Sequence, residues 1–307
     1  MRPTPFDAPR QAGFTIIEMI VAMVLFGILA TALIPLLQLP MSAYADASRR
    51  ADLGSELDTA VTKMKDDLGQ AVPGSIRVLQ LPSGVQYLEY MEVRATGRFR
   101  TAAGGPAVCP ATCNGIAANR ERLENGVADN CASTLGPLLP GTSASGNPVV
   151  GDQVIVNPLG TGVSPWTSQR ATLQAVPAAP VQGSTCVRLT AATSFIHPTA
   201  NKYLYLASTP VSYECNPSTG RLTRYWGYAF PTLAAGGIQR TTFAGVTSAP
   251  VSTRVVGCTF FKNPAVKVGT GYIVTVALQL GRTVDGALIT EKADGIFEFG
   301  EREVPFK

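Results

Sequence analysis

Six cysteines are the side chains best equipped for chemistry in this 307-residue chain: Cys109, Cys113, Cys131, Cys186, Cys215 and Cys258. All lie beyond residue 100, in the polar body, and an even count placed that way suggests disulfides and an oxidising compartment. Spacing alone does not choose among the fifteen possible connectivities. The rival chemistry is zinc, through Cys109-x-x-x-Cys113 with Cys131 nearby. It needs a fourth ligand, and the only histidine, His197, sits beside Pro198 far along the chain. His197 could serve as a general base, but no serine or cysteine motif points to it. The patterns G-x-S-x-G, H-E-x-x-H, S-x-x-K and G-x-x-x-x-G-K-[ST] are absent. Gly160-Thr161-Gly162 and Gly269-Thr270-Gly271 are fragments that turns explain. Trp226, between Tyr225 and Tyr228, could line a groove but reads as part of a core strand. No catalytic set emerges, and neither an enzyme activity, a metal nor a cofactor is expected.

The elements that must position these residues follow from composition. With 46% apolar and 15% charged residues, the chain can bury a sizeable core. Its 30 Gly and 23 Pro, with many Val, Thr and Tyr, favour a strand-and-turn body. The formal charge of +4 is small and the basic residues are scattered, so no nucleic-acid partner is expected.

The N-terminus is different. Residues 1–13 are polar, and FTIIEMIVAMVLFGILATALIPLLQLPM follows, with no charge between Met19 and Ala45. About 20 apolar residues cross a hydrocarbon core, so this run is long enough to span a membrane and too long for an ordinary secretory signal. Ala43-Tyr44-Ala45 resembles a signal-peptidase site that would release a chain beginning at Asp46; the long run and Glu18 argue against it. Glu18 lies near the start of the run, where a charge costs a few kcal/mol unless paired. Gly13 directly precedes the bulky Phe14. Pro35 removes one helix hydrogen bond and should kink the helix.

From Gly13 to Pro35 the sequence resembles type IV prepilins and type II secretion pseudopilins: G-F-T-I-I-E, then Gly27-Ile28-Leu29-Ala30, then Pro35. The resemblance implies that a prepilin peptidase/N-methyltransferase cuts after Gly13 and methylates the new amine of Phe14. Gln11 and Ala12 displace Arg10 slightly from its usual place beside the glycine. A carboxylate in an apolar phase wants a positive partner, and a neighbour's N-terminal amine is a compact one, so Glu18 becomes an assembly and register device. In these families the tip-most subunit can lack the glutamate, so Glu18 implies a place beneath another subunit. The partners implied are other minor pilins, the major pilin, the inner-membrane assembly platform and the inner membrane. The location implied is a single pass of the bacterial inner membrane, with the head in the periplasm and, after assembly, in an extracellular pilus.

Beyond Ala45, Leu53, Leu57, Val61, Met64 and Leu68 recur at helical spacing as one apolar stripe, and Val72-Pro73-Gly74 ends the helix. A helix from Phe14 to about Gly69 would be roughly 85 Å long. Strands are expected at 75–80, 85–94, 152–157, 186–192, 202–208, 210–215, 221–230, 255–261, 272–280 and 295–299, with Asn216-Pro217-Ser218-Thr219-Gly220 as a hairpin turn. The domain reading is a leader at 1–13, a transmembrane or filament-core helix at 14–45, and an amphipathic helix at 46–72. A β-rich head at 73–307 follows, with a Cys-rich surface insertion near 102–148 that has no core of its own. The fold class expected is α+β, a long helix packed on a mainly antiparallel sheet with disulfides.

The body also resembles the MshO-type minor pilins of the mannose-sensitive haemagglutinin (MSHA) pilus, through TAVTKMKDDLGQAVPGSIRV, YLEYMEVRATGRFRT, PVSYECNPSTGRLTRYWGY, VVGCTFF and REVPF. That resemblance favours Cys215–Cys258 as one disulfide. It implies a structural minor pilin that initiates, caps or modifies a filament. The alternatives are a J-like minor pseudopilin of type II secretion and a membrane-anchored adhesin or binding subunit.

Overall fold

The computed structural model describes residues 13, 15–102, 109, 113, 122–141, 146–156, 164–178, 180, 183–196, 202–233, 237–268, 271–284 and 286–299. The side chains of residues 32, 34–39, 263–268, 271–272, 284 and 291–299 are outside that description. The elements in chain order are α1 (Ile16–Gly69), β1 (Arg77–Gln80), β2 (Gln86–Arg98), β3 (Ala128–Ser133), β4 (Leu139–Pro140), β5 (Gln153–Val156), β6 (Arg170–Ala175), β7 (Cys186–Ser194), β8 (Tyr203–Asn216), β9 (Arg221–Trp226), β10 (Thr247–Ser252), β11 (Val255–Val268), β12 (Gly271–Val284) and β13 (Ala287–Phe299). The class is α+β, one long helix with mainly antiparallel sheet and three disulfides.

Two compact units divide the chain, Met1–Asp52 and Leu53–Lys307. The described part of the first is helix. Its backbone stays helical through Pro35, whose side chain lies outside the described residues. Among the described residues no helix is long and apolar enough to cross a membrane. The apolar run of the sequence passes through 32 and 34–39, where side chains are outside the description.

In the second unit, the last turns of α1 bury Leu53, Leu57, Ala60, Met64 and Leu68, each 0–3% exposed. The fully buried stripe runs through Ala60, while Val61 is half-buried and packs at its edge. These residues pack on Leu88 and Tyr90 of β2, Val211 and Tyr213 of β8, and Val274, Val276 and Leu278 of β12. Each fully buried Leu or Met in such a core contributes roughly 1.5–3 kcal/mol.

The main sheet runs β1-β2-β8-β5-β6-β7-β3, with β9 also on β8, β10 on β9 and β4 on β2. One strand, β8, replaces the two expected at 202–208 and 210–215. Leu204–Ala207 pair with β5, whereas Val211–Asn216 pair with β9. Pro210 sits between these two stretches, so its missing N–H costs the ladder nothing. A second core forms under the far half of the sheet from residues including Phe99, Leu123, Ala132, Val154, Leu173, Val187 and Leu206. The stretch 102–148, expected as a surface insertion without a core of its own, contributes Leu123 and Ala132 to this shared one, and Ala128–Ser133 is the terminal strand β3. The composition ADNCAS reads as turn; pairing with β7 makes it strand. Three further strands, β4, β6 and β10, were likewise not expected.

A separate three-stranded sheet, β11-β12-β13, completes the unit. Side-chain amides join it to the main sheet. Gln80 Nε2 donates to Phe260 O at 3.0 Å, Gln86 Nε2 donates to Cys258 O at 3.0 Å, and Phe260 N–H donates to Gln86 Oε1 at 2.7 Å. The Cys215–Cys258 disulfide links β8 to β11.

Candidate functional site

The N-terminal segment is the first place where residue types and geometry meet. Thr15 caps α1: its hydroxyl oxygen accepts the Glu18 N–H at 3.3 Å, and its carbonyl accepts the N–H groups of Glu18 and Met19 at 3.1 and 3.2 Å. Thr15-x-x-Glu18 therefore has the spacing of a capping box, with the acid in the first turn where the helix dipole favours it. That spacing was visible in the sequence and went unread. Gly13 and Glu18 are both exposed, and Phe14 lies outside the described residues.

The helix that follows presents apolar side chains on every side. Met23, Val24, Leu25 and Phe26 are consecutive, so their 100° steps cover the circumference, and they are 64%, 56%, 55% and 72% exposed. A helix apolar all round is stable only inside a protein assembly or a lipid phase. Among the described residues of the unit, nothing covers this surface.

The six cysteines form three disulfides: Cys109–Cys186, Cys113–Cys131 and Cys215–Cys258. The first two share one buried cluster, and all four of their sulfurs lie within 4.8 Å of one another. The fourth ligand that a zinc site lacked in the sequence is Cys186, brought in by the β3–β7 pairing. His197 is outside the described residues.

Among the buried ionic groups that sequence reasoning missed, two lie beside the helix and the first core. Asp67 of α1, 4% exposed, accepts from Lys63 Nζ and from the Tyr213 hydroxyl, both at 2.6 Å, and pairs with Arg224. Burial pushes its carboxyl up, but the hydrogen bonds from Lys63 and Tyr213 and the Arg224 charge outweigh burial and hold it below the usual range. Glu89, 0% exposed, accepts from Arg77 Nε at 2.7 Å and from the Tyr228 hydroxyl at 2.7 Å. Burial raises its carboxyl above the usual range despite Arg77. A perturbed acid can mark an active site. Glu89 has no surface for a substrate to reach, and its partners fasten the segment after β9 to β2. Trp226 is half-buried against the first core, with the Arg224 guanidinium 4.9 Å from its ring centroid.

Compared with known proteins, residues 8–34 match the family model described as the prokaryotic N-terminal methylation motif. No curated protein and no solved structure matches the chain. The match takes in Gly13, Phe14 and Glu18 and stops one residue short of Pro35. The motif indicates a type IV pilin-like or pseudopilin protein.

Proposed function

We propose that this chain is a minor pilin-like structural subunit of a type IV filament of the MSHA type, made as a prepilin and acting in filament initiation, assembly or modification. The observation that carries it is the methylation motif at 8–34 running into a helix whose apolar surface faces outward on all sides. Such a helix first sits in the inner membrane and then packs against the helices of other subunits, exchanging one apolar environment for another. Prepilin peptidase/N-methyltransferase, the assembly platform, the major pilin and other minor pilins are the partners in this reading. The head occupies the periplasm, where three disulfides are sustainable. Proteins with this motif are structural rather than enzymatic. The MSHA assignment rests on the resemblance of the body segments.

Pseudopilins of secretion machines carry the same kind of N-terminus, so deletion is the deciding experiment. Loss of surface filaments with secretion intact supports the proposal. Loss of secretion with filaments intact replaces it with the J-like pseudopilin reading. Loss of attachment with filaments and secretion both intact replaces it with an adhesin.

A further inference from the structure

We propose that the sulfurs of Cys109, Cys113, Cys131 and Cys186 form one tetrathiolate zinc site whenever their two disulfides are open. Metal capture and disulfide formation then compete for the same four atoms. The geometry is close to that of a structural zinc centre. All four Sγ atoms lie within 4.8 Å of one another. Tetrahedral zinc with Zn–S bonds of about 2.3 Å needs sulfurs roughly 3.8 Å apart. Opening the bonds lets the linked pairs separate to that distance while the other pairs draw in.

The fold holds these ligands from two directions. Cys131 faces Arg188, and Ser133 faces Cys186, across the β3–β7 ladder, so Cys131 and Cys186 are diagonal neighbours on one face. Cys109 and Cys113, with three residues between them, complete the cluster. Cys109, Cys113 and Cys131 are 3%, 1% and 1% exposed, which keeps water from the ligand sphere as closed structural sites require. Arg188, directly opposite Cys131, places a cation by a centre whose dication and four thiolates leave two negative charges.

The redox balance is simple. In a newly exported chain the four thiols precede the disulfides, and zinc binding releases their four protons. Two molecules of a disulfide-bearing oxidant then take four electrons. They become four thiolates, while the two protein disulfides form and the metal leaves. Run in reverse, a dithiol donor supplies the electrons.

The test uses the full-length chain in detergent micelles, reduced with a phosphine and titrated anaerobically with cobalt(II). The expected result is one cobalt per chain with the charge-transfer and d–d bands of tetrahedral thiolate coordination. Those bands should be lost in Cys186→Ser and unchanged in the Cys215→Ser, Cys258→Ser double variant. No bands, or full bands in Cys186→Ser, would overturn the proposal. A measurement that needs no variant is alkylation of the reduced chain with and without zinc, read by peptide mass. Protection of the four clustered cysteines but not of Cys215 and Cys258 supports the site; equal labelling of all six overturns it.

Discussion

The Tyr213 hydroxyl of β8 donates to Asp67 Oδ2 of α1 at 2.6 Å, across 146 positions of sequence. This contact, with Arg224 and Lys63 on the same carboxylate, fastens the end of the helix to the middle of the main sheet. Removing the acid leaves Arg224, 15% exposed, without its main counter-charge. Asp67→Asn should destabilise the head by on the order of 3 kcal/mol, measured by denaturant unfolding. Stability unchanged within error would refute the clamp.

Asp67 and Glu89 should leave opposite marks on a pH titration of stability. Asp67 is depressed in the fold, so its contribution is fully present above the ordinary aspartate range and lost as pH falls through its lower folded value. Glu89 is raised, so stability falls as pH climbs from the ordinary glutamate range through its higher folded value. Thermal melts across the acid range should show Asp67→Asn flattening the first slope and Glu89→Gln reducing the second, to which Asp129 and Asp152, also raised by burial, contribute.

Much of this was readable beforehand, and the exceptions have physical causes. The stripe from Leu53 to Leu68 was legible because helix burial repeats at fixed spacing. Asp67 fits that spacing too, after Ala60 and Met64, but an acid on a core face signals a partner only once Tyr213 and Arg224 are known to face it. Strands such as 272–280 announced themselves by alternation. By contrast, β3 and β6 are short and rich in small or polar residues, so only pairing with neighbours defines them. The cysteine cluster was hidden for a related reason: Cys186 is far from the other three in sequence, and only the β3–β7 register brings it beside Cys131.

Processing should leave a mature chain that begins at Phe14 with a methylated amine. N-terminal mass spectrometry of the membrane fraction reads this directly. A start at Asp46 would mean secretory cleavage instead, and Gly13→Leu should keep the leader attached.

The two roles proposed for Glu18, counter-charge to a neighbour's amine and partner of Thr15 in a capping box, are separated by one substitution. Glutamine serves as well as glutamate in a capping box, whereas it carries no charge for a neighbour's amine. Glu18→Gln should therefore keep the helix start intact yet assemble as poorly as Glu18→Ala, scored by helix-to-helix crosslinking between subunits. Thr15→Ala should cost about 1 kcal/mol of local helix stability without touching the charge. Normal assembly of Glu18→Gln would leave capping as the residue's whole contribution.

The Cys215–Cys258 bond closes a 43-residue interval between the two sheets. In the chain-entropy view its removal costs about 4 kcal/mol. Replacing both residues by alanine should lower the melting temperature of the head more than opening Cys113–Cys131, whose interval is 18 residues. Equal shifts would show that strain or residual structure outweighs loop length.

The position of β8 has a consequence for the order in which the head can be made. It lies between β2 and β5, both synthesised before it, and pairs with each. A chain emerging from its N-terminus therefore presents two finished strands with facing edges open, and neither edge is covered until β8 itself has appeared. Open edges are templates for the wrong partner, and pairing across more than 100 residues is slow. Folding of this head waits on its middle strand, and the interval before β8 arrives is when the nascent subunit most needs protection from its own copies.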